Sequence, residues 1–175
     1  MTPDIHIRPC TAADAAALAL VGQATFLETF AGVLAGSDII AHCNTAHCAE
    51  LYLKWLADPA YAIWLAEVAA GSAPVGFMVV APADLPLPDL SGADIELKRI
   101  YILSKFQGGG TGTKFINEAL RRADQVKAAR LLLGVYAHNH AALGFYEHHG
   151  FRQLGSRKFN VGGQDYDDHI MGRAV

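Results

Sequence analysis

The fold is decided between residues 96 and 113, by the run Glu96-Leu97-Lys98-Arg99-Ile100-Tyr101-Ile102-Leu103-Ser104-Lys105-Phe106-Gln107-Gly108-Gly109-Gly110-Thr111-Gly112-Thr113. With Ile95, the apolar residues Leu97, Ile100, Tyr101 and Ile102 make residues 94–103 the longest strand signal in the chain. A glycine cluster follows, and then Phe115, Ile116, Ala119 and Leu120 recur at helical spacing. A strand therefore runs into a glycine turn and on into a helix. Glycine gives the backbone conformations and close approaches that side chains forbid. The first amides of a helix have no intrahelical partner and sit at its positive dipole end. Together these features make a cradle for a pyrophosphate. A tight turn that merely needs glycine would leave the same local sequence, so the loop alone is a weak signal. Two well-known phosphate loops do not fit. A Walker loop needs Gly-Lys-Ser/Thr, but Gly112 is followed by Thr113 and then Lys114. A dinucleotide fingerprint needs an early strand–helix–strand unit, whereas this loop lies past mid-chain behind strands that read as antiparallel.

Upstream, residues 5–8 carry Ile5 and Ile7 as a short strand. Thr11 has the character of an N-cap, with Asp14 at the third helical position, for a helix through Leu18, Val21 and Phe26. Ser37 reads as the cap of a second helical region, continued by residues 46–56 and stopped at Asp58-Pro59. Residues 61–68 and 75–80 read as strands joined by a hairpin at Gly71-Ser72. Residues 81–92, with Pro82, Pro86, Pro88 and Gly92, read as a surface loop. Downstream, residues 131–136 form a continuous apolar strand, of the kind buried on both faces. Residues 141–148 form a short helix ended by Gly150. Residues 151–159 and 166–171 close the chain as strands joined through Gly162-Gly163. A helix pair, then antiparallel strands, then strand–helix–strand–helix–strand make a mixed α/β (α+β) sheet.

Composition narrows the function. A length of 175 residues suits one domain, by the usual scale of about 100–200 residues each. A formal net charge of −3 argues against a nucleic-acid coat, which would carry a basic excess. There is no apolar run of about 18 residues, and so no expected membrane span. Residues 1–8 lack the basic-then-apolar layout of a secretory signal. Cys10, Cys43 and Cys48 are three in number without disulfide-scaffold spacing, and the expected compartment is a reducing cytoplasm.

Two motifs carry a family resemblance. Gln107-x-x-Gly110-x-Gly112 is similar to the acyl-CoA loop of the GNAT superfamily of N-acetyltransferases. Asn139-x-x-Ala142-x-x-Phe145-Tyr146-x-x-x-Gly150-Phe151 resembles that family's following strand–helix–strand motif. The specific match covers residues 96–151. It implies a GNAT-like fold, with a mostly antiparallel sheet, a splayed strand pair and flanking helices, as one N-acetyltransferase domain over residues 1–175. It implies acetyl-CoA as acyl donor, direct transfer to a primary amine, and no metal. By position, Ile100, Tyr101 and Ile102 would pair with the pantetheine arm, and the Ile100 amide would face the thioester oxygen. Gln107, Gly108, Gly109, Gly110, Thr111, Gly112 and Thr113 would hold the pyrophosphate through backbone amides. Asn139 would bond the pantetheine arm. The Tyr146 hydroxyl would protonate the departing thiolate, the alternative being a packed core aromatic. The sequence departs from the family pattern at Gly109, where many members carry Lys or Arg, and at Thr111, a common aliphatic position. Lys105 or Lys114 are the cations placed to compensate.

The proton of the amine needs an acceptor. Glu96 lies four residues before the pantetheine-pairing stretch, where some family members carry a base, and a carboxylate on an apolar strand suits that task. The alternative is an ion pair with Lys98 or Arg99, and His138 is a second candidate base. His42-Cys43 and His47-Cys48 have zinc-ligand chemistry but no second cluster, so they read as ordinary helix residues beside the acceptor. His148-His149 suits a helix C-terminus. Asp165, Asp167 and Asp168, together with Glu96 to Tyr101, loosely resemble the bacterial spermidine/spermine acetyltransferase subgroup. That favours a polyamine-like acceptor drawn by acidic residues, against a solvated hairpin turn. Residues 37–56 and 82–92 would shape the acceptor pocket. Alternatives are transfer to a protein or peptide amine, a CoA-binding sensor without catalysis, and a protein–protein module whose glycine turn is only structural. A homodimer is compatible with the family.

Overall fold

The computed structural model describes residues 3–175. The chain runs β1 (Ile5–Pro9), a 3-10 turn (Ala12–Asp14), α1 (Ala15–Phe30), α2 (Gly36–Ala46), α3 (Ala49–Leu56), β2 (Ala62–Val68), β3 (Pro74–Pro82) and β4 (Asp94–Ile102). It continues through a second 3-10 turn (Ser104–Phe106), α4 (Thr111–Gln125), β5 (Arg130–Tyr136), α5 (His140–His148), β6 (Arg152–Val161) and β7 (Gln164–Ala174). The strands form one seven-stranded mixed sheet in the order β1-β2-β3-β4-β5-β7-β6. β1–β2, β5–β7 and β6–β7 are antiparallel, and β4–β5 is parallel. This is the mixed sheet expected from the order of elements. The parallel ladder is confined to Asp94, Ile95 and Glu96 against Arg130, Leu131 and Leu132, although each strand extends well beyond it. The expected parting of this strand pair is therefore present.

Contacts divide the chain into two compact units. The first comprises residues up to Val79 with Arg99–Phe115. Its core packs Leu18 and Val21 of α1 and Tyr52 of α3 on Ile63 and Leu65 of β2 and Phe77 and Val79 of β3. The entry to α1 follows the sequence expectation in a modified form. The Thr11 amide donates to Asp14 Oδ2 at 2.7 Å, but the residues between them form the 3-10 turn and the α-helix starts at Ala15. Arg8 straps this corner to β2. Its Nε and Nη2 edge grips Glu67 at 2.7 and 3.0 Å, and Nη1 and Nη2 reach Asp14 at 3.0 and 2.8 Å. The Arg8 guanidinium holds the Asp14 carboxyl down at about 2.

The second helical region differs from expectation. It is broken at His47 and Cys48 into α2 and α3, and α2 begins at Gly36, so Ser37 lies inside its first turn rather than capping it. The break has a physical cause. Terminal carbonyls of a helix need outside donors. Arg99 Nη1 donates to the Ala46 carbonyl at 2.5 Å, and Gln23 Nε2 donates to the His47 carbonyl at 3.0 Å. Two side chains remote in sequence thus end the helix.

The second unit comprises Val80–Lys98 with Ile116–Val175. β5 buries Leu131, Leu132 and Leu133, as a strand covered on both faces should. Residues 83–93 form no helix or strand and are mostly exposed, as the prolines suggested, while residues 81–82 belong to β3. Leu85 and Leu87 are buried in a cluster with Leu132 and Ile170, so the segment is a strap anchored on the sheet. Its end is fixed by Arg130, which grips Asp94 through Nε and Nη2 at 3.0 and 2.7 Å and reaches Asp89 at 2.9 Å. The same pairing pulls the Asp94 carboxyl down to about 2.

Candidate active site

The glycine loop and the end of β4 that feeds it, from Arg99 onward, belong to the first unit. β4 ends at Ile102, and the Leu103 amide donates to the Val75 carbonyl at 2.9 Å. Gly76 is what allows β3 to lie so near. A Cβ there would stand 2.8 Å from the Tyr101 carbonyl oxygen and 3.0 Å from Ile102 Cγ1. Gly76→Ala should push on the segment proposed from sequence to face the thioester, and cost about 1–3 kcal/mol as an overpacked strand. Urea unfolding together with KM for acetyl-CoA checks this, and an unchanged midpoint with unchanged KM would refute it.

Beyond β4 the chain makes the 3-10 turn, and Gln107 folds back so that Nε2 donates to the Ile102 carbonyl at 2.8 Å. The side chain of Gln107 is thus a brace for the loop, a role the sequence did not reveal. Glu28 of α1 clamps the same turn, accepting from the Ser104 amide at 2.8 Å and the Ser104 hydroxyl at 2.7 Å. Gly108 and Gly110 have φ of +80° and +82°, the left-handed region that β-carbons disfavour. A Cβ at either would meet nothing within 4 Å, so the conformation alone calls for glycine and the loop surface stays open. Thr111 opens α4 and is buried. α4 has fifteen residues, so its first-turn amides and dipole face the glycine loop. Ile100, Tyr101, Ile102, Gln107, Gly108, Gly109, Gly110, Thr111, Gly112 and Thr113 therefore share one compact unit. The arrangement suits a pyrophosphate held by main-chain donors.

The same unit holds a polar cluster that the sequence reading missed. Arg99 Nη1 donates to the Tyr52 hydroxyl at 2.9 Å, and that hydroxyl lies 2.9 Å from His47 Nδ1. The guanidinium carbon of Arg99 sits 4.7 Å from the Trp55 ring centroid and 5.6 Å from that of Tyr52. Tyr52 is fully buried and His47 nearly so. Burial, then the Arg99 charge and then His42, hold the His47 imidazole down at about 2, so it is neutral. Burial likewise pushes the Tyr52 phenol up to about 12. Phe26, Phe77 and Tyr101 rings surround His47 at 5.4, 6.3 and 6.5 Å.

Glu96, His138, Asn139 and Tyr146 belong to the second unit. Glu96 is 3% exposed. Its Oε2 accepts both from the Asp84 amide at 3.1 Å and from Lys98 Nζ at 3.4 Å. Of the alternatives left open by the sequence, the ion pair with Lys98 is present, and it also ties down the strap at residue 84. Asn139 is the N-cap of α5, its Oδ1 accepting from the Ala142 amide at 3.1 Å. That leaves its amide group as the donor. Tyr146 lies buried on α5, 5.8 Å from the Phe151 ring centroid. Asp165, Asp167 and Asp168 are each matched across the β6–β7 hairpin. Asn160 Nδ2 donates to Asp165 at 2.9 Å, Lys158 Nζ to Asp167 at 2.5 Å and Arg157 Nε to Asp168 at 3.1 Å. These carboxylates do not form an unmatched acidic lure for a polycation.

Among the described residues, no group of three or more His, Cys, Asp or Glu side chains is arranged to hold a metal ion. No helix among them is long and apolar enough to cross a membrane.

A profile of the acetyltransferase (GNAT) family matches residues 34–151, about two thirds of the chain. The chain belongs to the acetyltransferase (GNAT) family. It is an acetyl-CoA-dependent N-acetyltransferase. An uncharacterized N-acetyltransferase of Mycobacterium tuberculosis (strain H37Rv) is 28% identical over 162 residues, covering 93% of this chain and 98% of that protein. Among solved structures, the PaiA N-acetyltransferase from Thermoplasma acidophilum in complex with coenzyme A superposes with a TM-score of 0.75 at 19% identity, over 98% of this chain and 99% of that one. The ribosomal-protein-alanine N-acetyltransferase from Brucella melitensis gives a TM-score of 0.71 at 23% identity, over 97% and 99%. Both likenesses concern the fold.

Proposed function

We propose that this family member moves the acetyl group of acetyl-CoA directly onto the primary amine of a small molecule, within a single catalytic domain. The observation that carries this is the left-handed Gly108 and Gly110 between the end of β4 and the first turn of α4. Residues 107–113 hold the pyrophosphate through main-chain amides. Ile100, Tyr101 and Ile102 pair with the pantetheine arm, and the Ile100 amide stabilises the oxyanion. The Asn139 amide group donates to the same arm. The amine nitrogen bonds to the acetyl carbon and the carbon–sulfur bond breaks. Tyr146 gives its proton to the departing thiolate, and Glu96 receives the proton of the amine through water. Lys98, bonded to Glu96 Oε2, orients that carboxylate and leaves Oε1 for the proton. Holding amine and thioester together supplies much of the rate.

Thiol release from acetyl-CoA, followed across polyamines, amino acids, aminoglycosides and peptide amines, tests this reading. Turnover with at least one small primary amine is expected. Glu96→Gln should then lower kcat on the order of 100-fold. Acetyl-CoA binding without turnover on any amine would favour a sensor, and turnover on peptide amines alone would move the acceptor to proteins. Spermidine belongs in the panel because the sequence leans toward a polyamine. The matched carboxylates of residues 165–168 give that arm little support.

A further inference from the structure

Arg8, Arg99 and Arg130, three of the half-buried arginines of this chain, differ in one respect. Arg8 presents its Nε and Nη2 edge to Glu67, and Arg130 presents the same edge to Asp94. This side-on fork is the geometry in which a guanidinium grips a carboxylate with two parallel bonds. Arg99 has no such partner. Its bonds run from Nη1 alone, to the Ala46 carbonyl, the Tyr52 hydroxyl and His47 Nδ1, all of them neutral groups. Among the described residues no carboxylate pairs with it, and Nε and Nη2 bond to none of them. Those two nitrogens are not sealed away, since the only buried side-chain donors or acceptors lacking partners among the described residues are His169 Nδ1 and Arg173 Nε.

The guanidinium is also held rigid. One end is fixed by the three Nη1 contacts and one face by the Trp55 and Tyr52 rings. A fork fixed this way loses little further freedom on binding a ligand. The nearby imidazoles add no charge, because burial and Arg99 itself keep His42 and His47 low. What remains is one uncompensated, oriented positive charge, one residue before Ile100, in the same compact unit as the glycine loop.

We propose that Arg99 is the carboxylate-binding residue of the acceptor site, so that the amine acetylated by this protein belongs to a free amino acid rather than to a polyamine. The proposal rests on the reading of the chain as a small-amine N-acetyltransferase. The Nε and Nη2 edge takes the two carboxylate oxygens, as Arg8 and Arg130 do internally, and the Tyr52–His47 pair holds the fork in place.

The test compares matched acceptors, each of the twenty amino acids against its own α-carboxamide, by thiol release. For at least one pair, kcat/KM should favour the acid on the order of 10-fold to 100-fold, the worth of a hydrogen bond to a charged group. Arg99→Lys, which keeps the charge and loses the fork, and Arg99→Gln should both shrink that ratio, chiefly through KM for the acid. A ratio near one in the wild type, or a ratio unchanged in the variants, would overturn the proposal. So would equal losses on acid and amide, which would make Arg99 only the cap of α2. Calorimetric titration of the preferred amino acid into wild type and Arg99→Gln, without acetyl-CoA, reads the site apart from turnover. Binding lost in Arg99→Gln supports the carboxylate site even where no thiol release occurs, and that pattern would instead count against the transfer reading. Absence of amino-acid binding to the wild type, together with turnover on a carboxylate-free amine, would sink the proposal alone.

Discussion

Tyr146→Phe should lower kcat by about 100-fold while leaving KM for acetyl-CoA within a factor of a few. The substitution removes one oxygen and keeps the ring. Tyr146 is 7% exposed and packs by its ring against Phe151, so Phe fills the same space and the fold should hold. General acid catalysis contributes on the order of 100-fold to 10,000-fold. A thiolate leaves more readily than an amine or alkoxide, which puts the effect at the low end. An acid that acts only as the carbon–sulfur bond breaks is absent from ground-state binding, so the loss falls on kcat. If Tyr146 served only the core, kcat of Tyr146→Phe would match the wild type across pH. Steady-state kinetics on the preferred amine, with urea unfolding as a control, separates the two outcomes.

The parts of the proposed site that the sequence pointed to are those built from local spacing. The strand period of residues 94–103, the glycines and the helical repeat after Phe115 together fixed β4, the loop and α4, because each is a short-range property of the chain. Asn139 and Tyr146 were legible as members of a second short motif. What the motif could not convey is that the Asn139 oxygen is spent on capping α5. The Arg99–Tyr52–His47 cluster was not legible, because its members come from β4, α3 and the break after α2. No pattern in residues 36–56 says that a guanidinium from residue 99 will end α2 at Ala46. The one available signal was strand parity, which sets Arg99 on the face with Tyr101, away from Lys98 and Glu96. That parity was enough to give Glu96 to Lys98 and leave Arg99 to the helices.

The acidic tail is a different case, since its pairing was derivable. A two-residue turn at Gly162-Gly163 sets Val161 opposite Gln164 and therefore Asn160 opposite Asp165, Lys158 opposite Asp167 and Arg157 opposite Asp168. Reading the tail as a run of carboxylates ignored the donors that the register places across from them. The prolines of residues 82–88 marked the loop but not its two anchors. They break secondary structure, which is compatible with a loop, but Leu85 and Leu87 between them bury their side chains.

Stability should fall as the pH drops below about 6.5, and His47 is the reason. An unfolded imidazole takes up a proton near pH 6.5. In the folded protein burial and the Arg99 charge hold His47 at about 2, so below 6.5 the unfolded chain binds one more proton than the native one. Stability then rises with pH across this range and is lost as pH falls, at up to about 1.4 kcal/mol per pH unit for one proton. Between pH 7.5 and 5.5 the loss from His47 should be about 1.4 kcal/mol. His42, also held low by burial and Arg99, adds to the same slope. Asp14 and Asp94, held at about 2 by Arg8 and Arg130, act in a separate and lower window. Their stabilisation is complete above about pH 4 and is lost as pH falls toward 2. The early loss is the signature of a neutral histidine locked against a cation. His47→Gln should therefore reduce the decline between pH 7.5 and 5.5 by the share of one proton, whatever it does to stability at pH 7.5. Urea midpoints and m-values of both proteins at three pH values supply the measurement. A decline of equal size in wild type and variant would mean that His47 protonates in the folded protein, and that Arg99 does not confront it as the 3.4 Å separation of Nη1 from Nδ1 requires.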